Sequence, residues 1–149
     1  MAETLEDFAF AHPLRVRWAE LDPQRIVFNA NYLMYFDIGL TEYLRALGWR
    51  GAAGFAGHGT DIFAVNATLD FHAPAGHDDE LLIAARIEHL GRTSFRFRMG
   101  CFRDGALLVA GRLTYVNATR DARRPTPLPE PFIAKVLAFE RIPPARQSG

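Results

Sequence analysis

The sequence predicts an α+β fold in which an antiparallel sheet of about five strands packs on one long helix. Three observations lead there. Apolar residues recur at three- and four-residue steps between Asn31 and Leu47, the period then drops to two in successive runs, and those runs are joined by short connections. One connection, Arg103-Asp104-Gly105, carries the Asp-Gly pair that favours a tight hairpin between antiparallel neighbours.

Taken in order, Leu14, Val16 and Trp18 alternate with Arg15 and Arg17, which predicts a first strand running directly into a loop at Asp22. Alternation puts Glu20 on the same side as Val16 and Trp18, where it reads as a structural or orienting carboxylate. In the helix, Leu33, Phe36, Leu40, Tyr43, Leu44 and Leu47 form one apolar face. Asn29 or Asn31 offers a cap for its start, Gly48 a stop, and Arg45 a cation in the last turn. His58 lies between Gly57 and Gly59 and reads as a loop histidine.

Four strands follow. Phe63, Val65, Ala67, Leu69 and Phe71 make an apolar face against Ile62, Ala64, Asn66, Thr68 and Asp70. Leu81, Ile83, Ala85 and Ile87 repeat the pattern, as do Phe95, Phe97, Met99 and Cys101 against Ser94, Arg96 and Arg98. Leu90-Gly91-Arg92-Thr93 forms the turn between them, and the last strand runs from Ala106 to Asn117. Phe132, Ile133, Val136, Leu137 and Phe139 predict a short helix over about 130–140, and the residues from Pro143 read as a frayed tail. One helix cannot cover both faces of the sheet. A mixed face bearing Thr68, Arg86, Arg96 or Arg112 therefore predicts self-association.

The whole chain sets bounds on function. Its 149 residues suit one domain, 1–149, with a core over about 12–128. Lys and Arg together number 17, as do Asp and Glu, so no global field draws the chain to nucleic acid or an anionic membrane. Arg96 and Arg98 between phenylalanines read as a solvated or oligomeric face. A lone Cys101 fits a reducing compartment. The start of the chain lacks the basic and apolar parts of a secretory signal, and no apolar run is long enough to span a bilayer, so the expected location is the cytoplasm. His72, His77 and His89 lack metal-ligand spacing, and no metal is expected.

Asp22 is the residue with chemical promise. An aspartate before proline commonly forms a turn. A carboxylate just ahead of a helix start also sits near unpaired N–H groups that can hold a carbonyl oxygen as it becomes anionic. Those two parts are what hydrolysis of an activated acyl ester needs.

The segments Arg17-Trp18-Ala19-Glu20-Leu21-Asp22-Pro23 through Ile26-Val27, Asn31-Tyr32-Leu33-Met34-Tyr35-Phe36-Asp37, Leu69-Asp70-Phe71-His72 with Asp78-Asp79-Glu80-Leu81, and Leu90-Gly91-Arg92-Thr93-Ser94-Phe95 carry a resemblance in their order and spacing. Over roughly residues 12–128 the chain resembles the hot-dog-fold acyl-CoA thioesterases of the 4-hydroxybenzoyl-CoA thioesterase type. The resemblance implies hydrolysis of an acyl-CoA thioester, with Asp22 as nucleophile or general base and the backbone amide of Asn29 as oxyanion donor. It implies a homodimer or homotetramer whose packing supplies pocket walls, and no metal or organic cofactor beyond the coenzyme A of the substrate.

Phosphate contacts are implied around Arg92, Thr93 and Ser94, with Arg123 and Arg124 as further cations. Tyr32, with Tyr35, Phe36 and Phe63, either lines an acyl or aryl pocket or is plain core. One departure stands out: many members have a small residue and glycine after the aspartate, whereas this chain has Gln24-Arg25. Arg25 must point away from the acyl channel or contact the ligand. The alternative reading is a hot-dog protein that binds acyl-CoA or acyl-carrier ligands without cleaving them. A hot-dog dehydratase would want a paired histidine and acid in an order this chain lacks.

Overall fold

Helix α1 forms over Asn31–Leu47 because one side of it is almost continuously apolar or aromatic. Tyr32, Tyr35, Phe36, Leu40, Tyr43, Leu44 and Leu47 are all buried along it. The buried stripe differs from the expected one in its first turns, where Tyr32 and Tyr35 turn inward and Leu33 stays exposed. The tyrosines are accepted there because each hydroxyl finds a partner, Tyr32 with the Ala75 N–H and Tyr35 with the Glu20 carboxylate. Gly39 lets the helix approach the sheet: a Cβ there would lie 2.5 Å from Cγ2 of Ile83.

The computed structural model describes residues 3–147. Its strands are β1 (Ala11–Arg15), β2 (Thr60–Phe71), β3 (Glu80–Leu90), β4 (Ser94–Arg103), β5 (Ala106–Thr119) and β6 (Ala145–Arg146). The first five lie in the order β1-β3-β4-β5-β2, all antiparallel. This sheet wraps α1, the α+β arrangement that the pattern of elements predicted and the hot-dog fold that the resemblance implied. Leu81, Ile83, Ala85 and Ile87 of β3 and Phe95, Phe97, Met99 and Cys101 of β4 are buried against α1, as their alternation requires. A short helix α2 (Ala52–Ala56), not anticipated, brings Phe55 against Trp49 and Phe132. Helix α3 (Glu130–Phe139) adds Phe132, Ile133 and Val136 to the same core. His58 stacks on Trp49, which fits its reading as a structural loop histidine.

Four expectations need correction. First, β1 ends at Arg15 and a 3-10 turn at Trp18–Glu20 intervenes before Asp22. The Glu20 carboxylate folds back onto the Arg17 N–H, which closes the turn and leaves Trp18 75% exposed while Glu20 is buried. Second, β2 carries a bulge between Ala64 and Asn66, so the alternating face switches there. Ala64 and Ala67 line one groove, while Val65 is exposed.

Third, the outer face of the sheet is partly closed by the chain's own N-terminal segment. Leu5 and Phe8 pack with Ala84, Phe102 and Leu107. Glu3 sits between Arg86 and Arg98 at 2.9 and 3.2 Å, and Glu88 joins Arg96 to Arg112, both at 2.8 Å. Arginines 86, 98 and 112 are aligned across β3, β4 and β5, and these two carboxylates offset their mutual repulsion. Fourth, the tail is tied down: β6 pairs in parallel with β3 at His89 and Leu90, and Pro144 is buried.

Candidate active site

Asp22 begins a tight hairpin. Its N–H donates to the Ile26 carbonyl at 2.9 Å, its carbonyl accepts the Arg25 N–H at 2.8 Å, and Leu21 pairs with Val27. Pro23 pre-sets the backbone for the turn. Arg25 then takes the left-handed conformation, φ 65°. That is a conformation in which glycine is at ease and an arginine is strained.

The Asp22 side chain is half-buried, and its Oδ1 accepts the Gln24 N–H at 2.8 Å. Oδ2 has no protein partner among the described residues. Arg25 is exposed, makes no ion pair among the described residues, and lines no part of the cleft described below.

The hairpin delivers the chain to the start of α1. Neither Asn29 nor Asn31 caps that helix with its side chain. Asn31 Nδ2 instead reaches back to the Glu20 carbonyl at 2.9 Å, because that carbonyl is brought alongside by the Phe28 N–H, which donates to it at 3.0 Å. Two tight bonds, from Asn31 N–H to the Phe28 carbonyl and from Tyr32 N–H to the Asn29 carbonyl, carry the first turn back to Phe28. The N–H groups of Asn29 and Ala30 are left without a protein acceptor among the described residues. Helix starts collect partial positive charge at such groups.

Asn29 lines a cleft of about 220 Å³ with Ile26, Val27, Tyr32, Phe71, His72, Ala73 and Pro74. Ile26, the hairpin partner of Asp22, thus joins the carboxylate loop to the amide end. The rear wall is fixed by Val27 N–H to the Ala75 carbonyl at 2.9 Å and by Ala75 N–H to the Tyr32 hydroxyl at 3.0 Å. Burial raises the Tyr32 pKa. Behind it, Asp79 accepts from Gly76 N–H and Arg103; burial pushes its carboxyl up, but these partners hold it below the ordinary value.

A second groove of about 470 Å³ runs between α1 and the sheet, lined by Leu33, Met34, Asp37, Ala64, Ala67 and Tyr115. Burial first, and then the Asp37 charge, pushes the Tyr115 hydroxyl up to about 12.

The structure brings Asp22, Asn29 and Tyr32 to one end of the molecule and leaves Arg92, Thr93, Ser94 and Arg124 at the other. Tyr32 meets Phe71 at the end of β2, whereas Arg92 to Ser94 turn between β3 and β4 beside the start of β2. With about 3.3 Å per residue, the ten residues of β4 separate the two ends by about 30 Å. At the far end, the Arg92 carbonyl accepts from Leu128 N–H and the Thr93 carbonyl from Asn117 N–H. Arg124 N–H is bound by the Thr119 hydroxyl at 3.0 Å, and the exposed Arg123 guanidinium lies over the Phe63 ring.

Sequence reasoning missed two features here. Glu20 was read as a structural or orienting carboxylate on the side of Trp18; it is buried while Trp18 is exposed, and its partners Arg17 and Tyr35 were not foreseen, although the Arg17-to-Glu20 and Glu20-to-Tyr35 spacings gave a faint signal. His72 was read as an isolated histidine, yet it lines the cleft, a placement that only the turn after β2 decides.

Comparison with known proteins agrees with this fold. The profile described as the thioesterase superfamily matches residues 24–110, starting just past Asp22. The acyl-CoA thioester hydrolase YbgC of Escherichia coli is 26% identical over 127 residues, 85% of this chain and 94% of that protein. A thioesterase from Thermus thermophilus, solved with coenzyme A and Zn, is 27% identical with a TM-score of 0.79, covering 93% of this chain and 100% of that one. The 1,4-dihydroxy-2-naphthoyl-CoA thioesterase Slr0204 from Synechocystis shares the fold at 22% identity and a TM-score of 0.78, covering 85% and 94%. Among the described residues no helix is long and apolar enough to cross a membrane. With the superfamily profile matching more than half its length and the sheet wrapped around α1, the chain is a member of the thioesterase superfamily with a hot-dog fold.

Proposed function

We propose that this chain hydrolyses an acyl-CoA thioester, with Asp22 as nucleophile or general base and the Asn29 amide as oxyanion donor. The observation that carries this reading is the Asn29 N–H, without a protein acceptor among the described residues, on a cleft joined through Ile26 to a carboxylate with one oxygen likewise unpartnered. A donor of this kind contributes on the order of a hundred- to a thousandfold in rate. As nucleophile, an Asp22 oxygen bonds to the acyl carbon while the C–S bond breaks, CoA leaves as thiolate and takes a proton, and water then cleaves the anhydride. As base, Asp22 takes a proton from water, whose oxygen bonds to the acyl carbon; the C–S bond then breaks and the departing CoA thiolate takes the proton. Either route uses only water and groups of the chain. The activities named for YbgC and for the coenzyme A-bound Thermus protein support the substrate class.

The working unit in this reading is at least a homodimer. Strand β2 is a free edge with Val65 and Phe71 exposed, and the neighbouring Leu33 and Met34 are exposed as well. Two β2 edges paired antiparallel about a twofold axis would bring the far end of one copy to the Asp22 end of the other. Arg92, Thr93, Ser94 and Arg124 then serve the coenzyme phosphates of the partner's site, with Tyr32 on the acyl side. Arg25, exposed and without an ion pair among the described residues, would in this reading meet the ligand rather than Asp22.

The test is thiol release from a panel of acyl-CoAs by the wild type and Asp22→Asn. Turnover of at least one thioester is expected, with a loss of about a hundredfold or more in the variant at unchanged melting temperature. Saturable acyl-CoA binding without turnover would replace this reading with that of a non-catalytic binder.

A further inference from the structure

We propose that Glu20 and Tyr35 are positioning residues, a buried lock that holds the Asp22 hairpin and the Asn29 amide at a fixed separation. The inference rests on the reading above and concerns what makes that pair usable.

Donors from both sides of the hairpin converge on Glu20. Its carboxylate accepts from the Arg17 N–H at 2.8 Å, from the Arg17 guanidinium at 2.6 and 3.1 Å, and from the Tyr35 hydroxyl at 2.9 Å. Its carbonyl accepts from Phe28 N–H at 3.0 Å and Asn31 Nδ2 at 2.9 Å. These partners lie immediately before the hairpin, immediately after it, and on the first two turns of α1. Asp22 is two residues downstream of Glu20, and Asn29 and Ala30 lie between its two carbonyl donors, Phe28 and Asn31. The groups on either side of the free amides are thus pinned to one residue, while the amides themselves are left bare.

The lock is buried at its α1 side, where Tyr35 is fully buried and Glu20 is 6% exposed. Burial raises the Glu20 carboxyl, but its hydrogen bonds and the Arg17 charge outweigh that and keep it below the ordinary value. A buried ionised acceptor makes stronger hydrogen bonds than a neutral one, so the lock resists the opening that a loop of this length otherwise permits. Positioning matters because a displacement of about 1 Å between reacting groups can cost about a hundredfold in rate.

The experiment compares Tyr35→Phe, Glu20→Gln, Glu20→Ala and Asp22→Asn for kcat and KM, with amide exchange measured on each folded variant. Tyr35→Phe removes only the hydroxyl from a packed ring, so it folds; circular dichroism and urea denaturation check this. In Tyr35→Phe and Glu20→Ala, kcat is expected to fall by about tenfold to a hundredfold while KM stays within about twofold. Glu20→Gln keeps an oxygen acceptor and is expected to lie between wild type and Glu20→Ala. Exchange of the Phe28 N–H is expected to quicken about tenfold in Tyr35→Phe with β3 and β4 amides unchanged, a result that needs no activity to read. Wild-type kcat in the folded variants, or unchanged Phe28 exchange, overturns the lock while an inactive Asp22→Asn leaves the catalytic reading standing. A fully active Asp22→Asn removes the catalytic reading and, with it, any positioning role.

Discussion

The two ends of α1 are built on opposite terms. At the C-terminal end Gly48 takes φ 83°, its N–H donates to the Arg45 carbonyl, and Trp49 N–H donates to the Leu44 carbonyl. This is the Schellman arrangement, closed by the buried contact of Trp49 with the helix end. Trp49 then packs on Phe55 and Phe132 with ring centroids 5.2 Å away in each case. At the N-terminal end Ala30 stands at the cap position with no side-chain acceptor to offer, and Arg25 occupies a glycine conformation. Backbone groups find partners where the helix is only structural. Two of them lack a protein acceptor among the described residues, and backbone strain is tolerated, at the end where the proposed reaction takes place.

Substitutions at each end can break or sharpen that contrast. Trp49→Ala should have the largest effect, costing about 3–5 kcal/mol of stability in urea denaturation. The kcat of the folded fraction should not change; a fall would mean that the two ends are coupled. Arg25→Gly and Gly48→Ala probe the same backbone conformation with opposite sign. About 1–2 kcal/mol should be gained in the first and lost in the second. An unchanged KM for acyl-CoA in Arg25→Gly would also dismiss the guanidinium as a ligand contact.

Phe28→Ser places an acceptor in reach of the free Ala30 N–H two residues on, and should stabilise the protein by about 1 kcal/mol; kcat should fall if that amide shares the oxyanion with Asn29. A variant that is more stable and fully active would show that the Ala30 amide serves no oxyanion and leave Asn29 as the sole donor.

The smallest expected effect concerns Glu140, buried beside Tyr43 and the Ile87 N–H at 2.6 and 2.7 Å. Burial raises its pKa despite these donors. The folded state therefore holds this proton more tightly than the unfolded chain does. Its contribution is fully present below the ordinary carboxylate value and is lost as pH rises through the raised one. Glu140→Gln should flatten that loss in melting temperature measured across the acidic range. An unchanged pH dependence would rule Glu140 out as its source.

Legibility followed the range of the interactions involved. The α1 span, the Gly48 stop and the inward rows of β3 and β4 depend on periodicity and local backbone preference, and the sequence carries both openly. The bulge in β2 shifts an alternation by one residue, and composition gives no sign of it. Burial of Tyr32 and Tyr35 in place of Leu33 required knowing that a loop amide and a distant carboxylate would meet their hydroxyls. The N-terminal segment was legible only as acidic residues; its seat against the arginine row is a pairing across more than eighty residues.

For the site, Asp22 and the helix start were visible because chain order alone places them near each other. By itself, then, the sequence determined the elements, their order and the adjacency of carboxylate and helix end, since these follow from period, turn chemistry and covalent spacing. Only the tertiary structure decided that the Asn31 side chain would bind the Glu20 carbonyl instead of capping the helix, and that the Asn29 and Ala30 amides would have no protein acceptor among the described residues. It also decided that Arg92 and Arg124 stand at the opposite end of the sheet from Asp22, across the roughly 30 Å length of β4. Those outcomes depend on which polar groups meet once the chain is packed, and no local pattern encodes that competition.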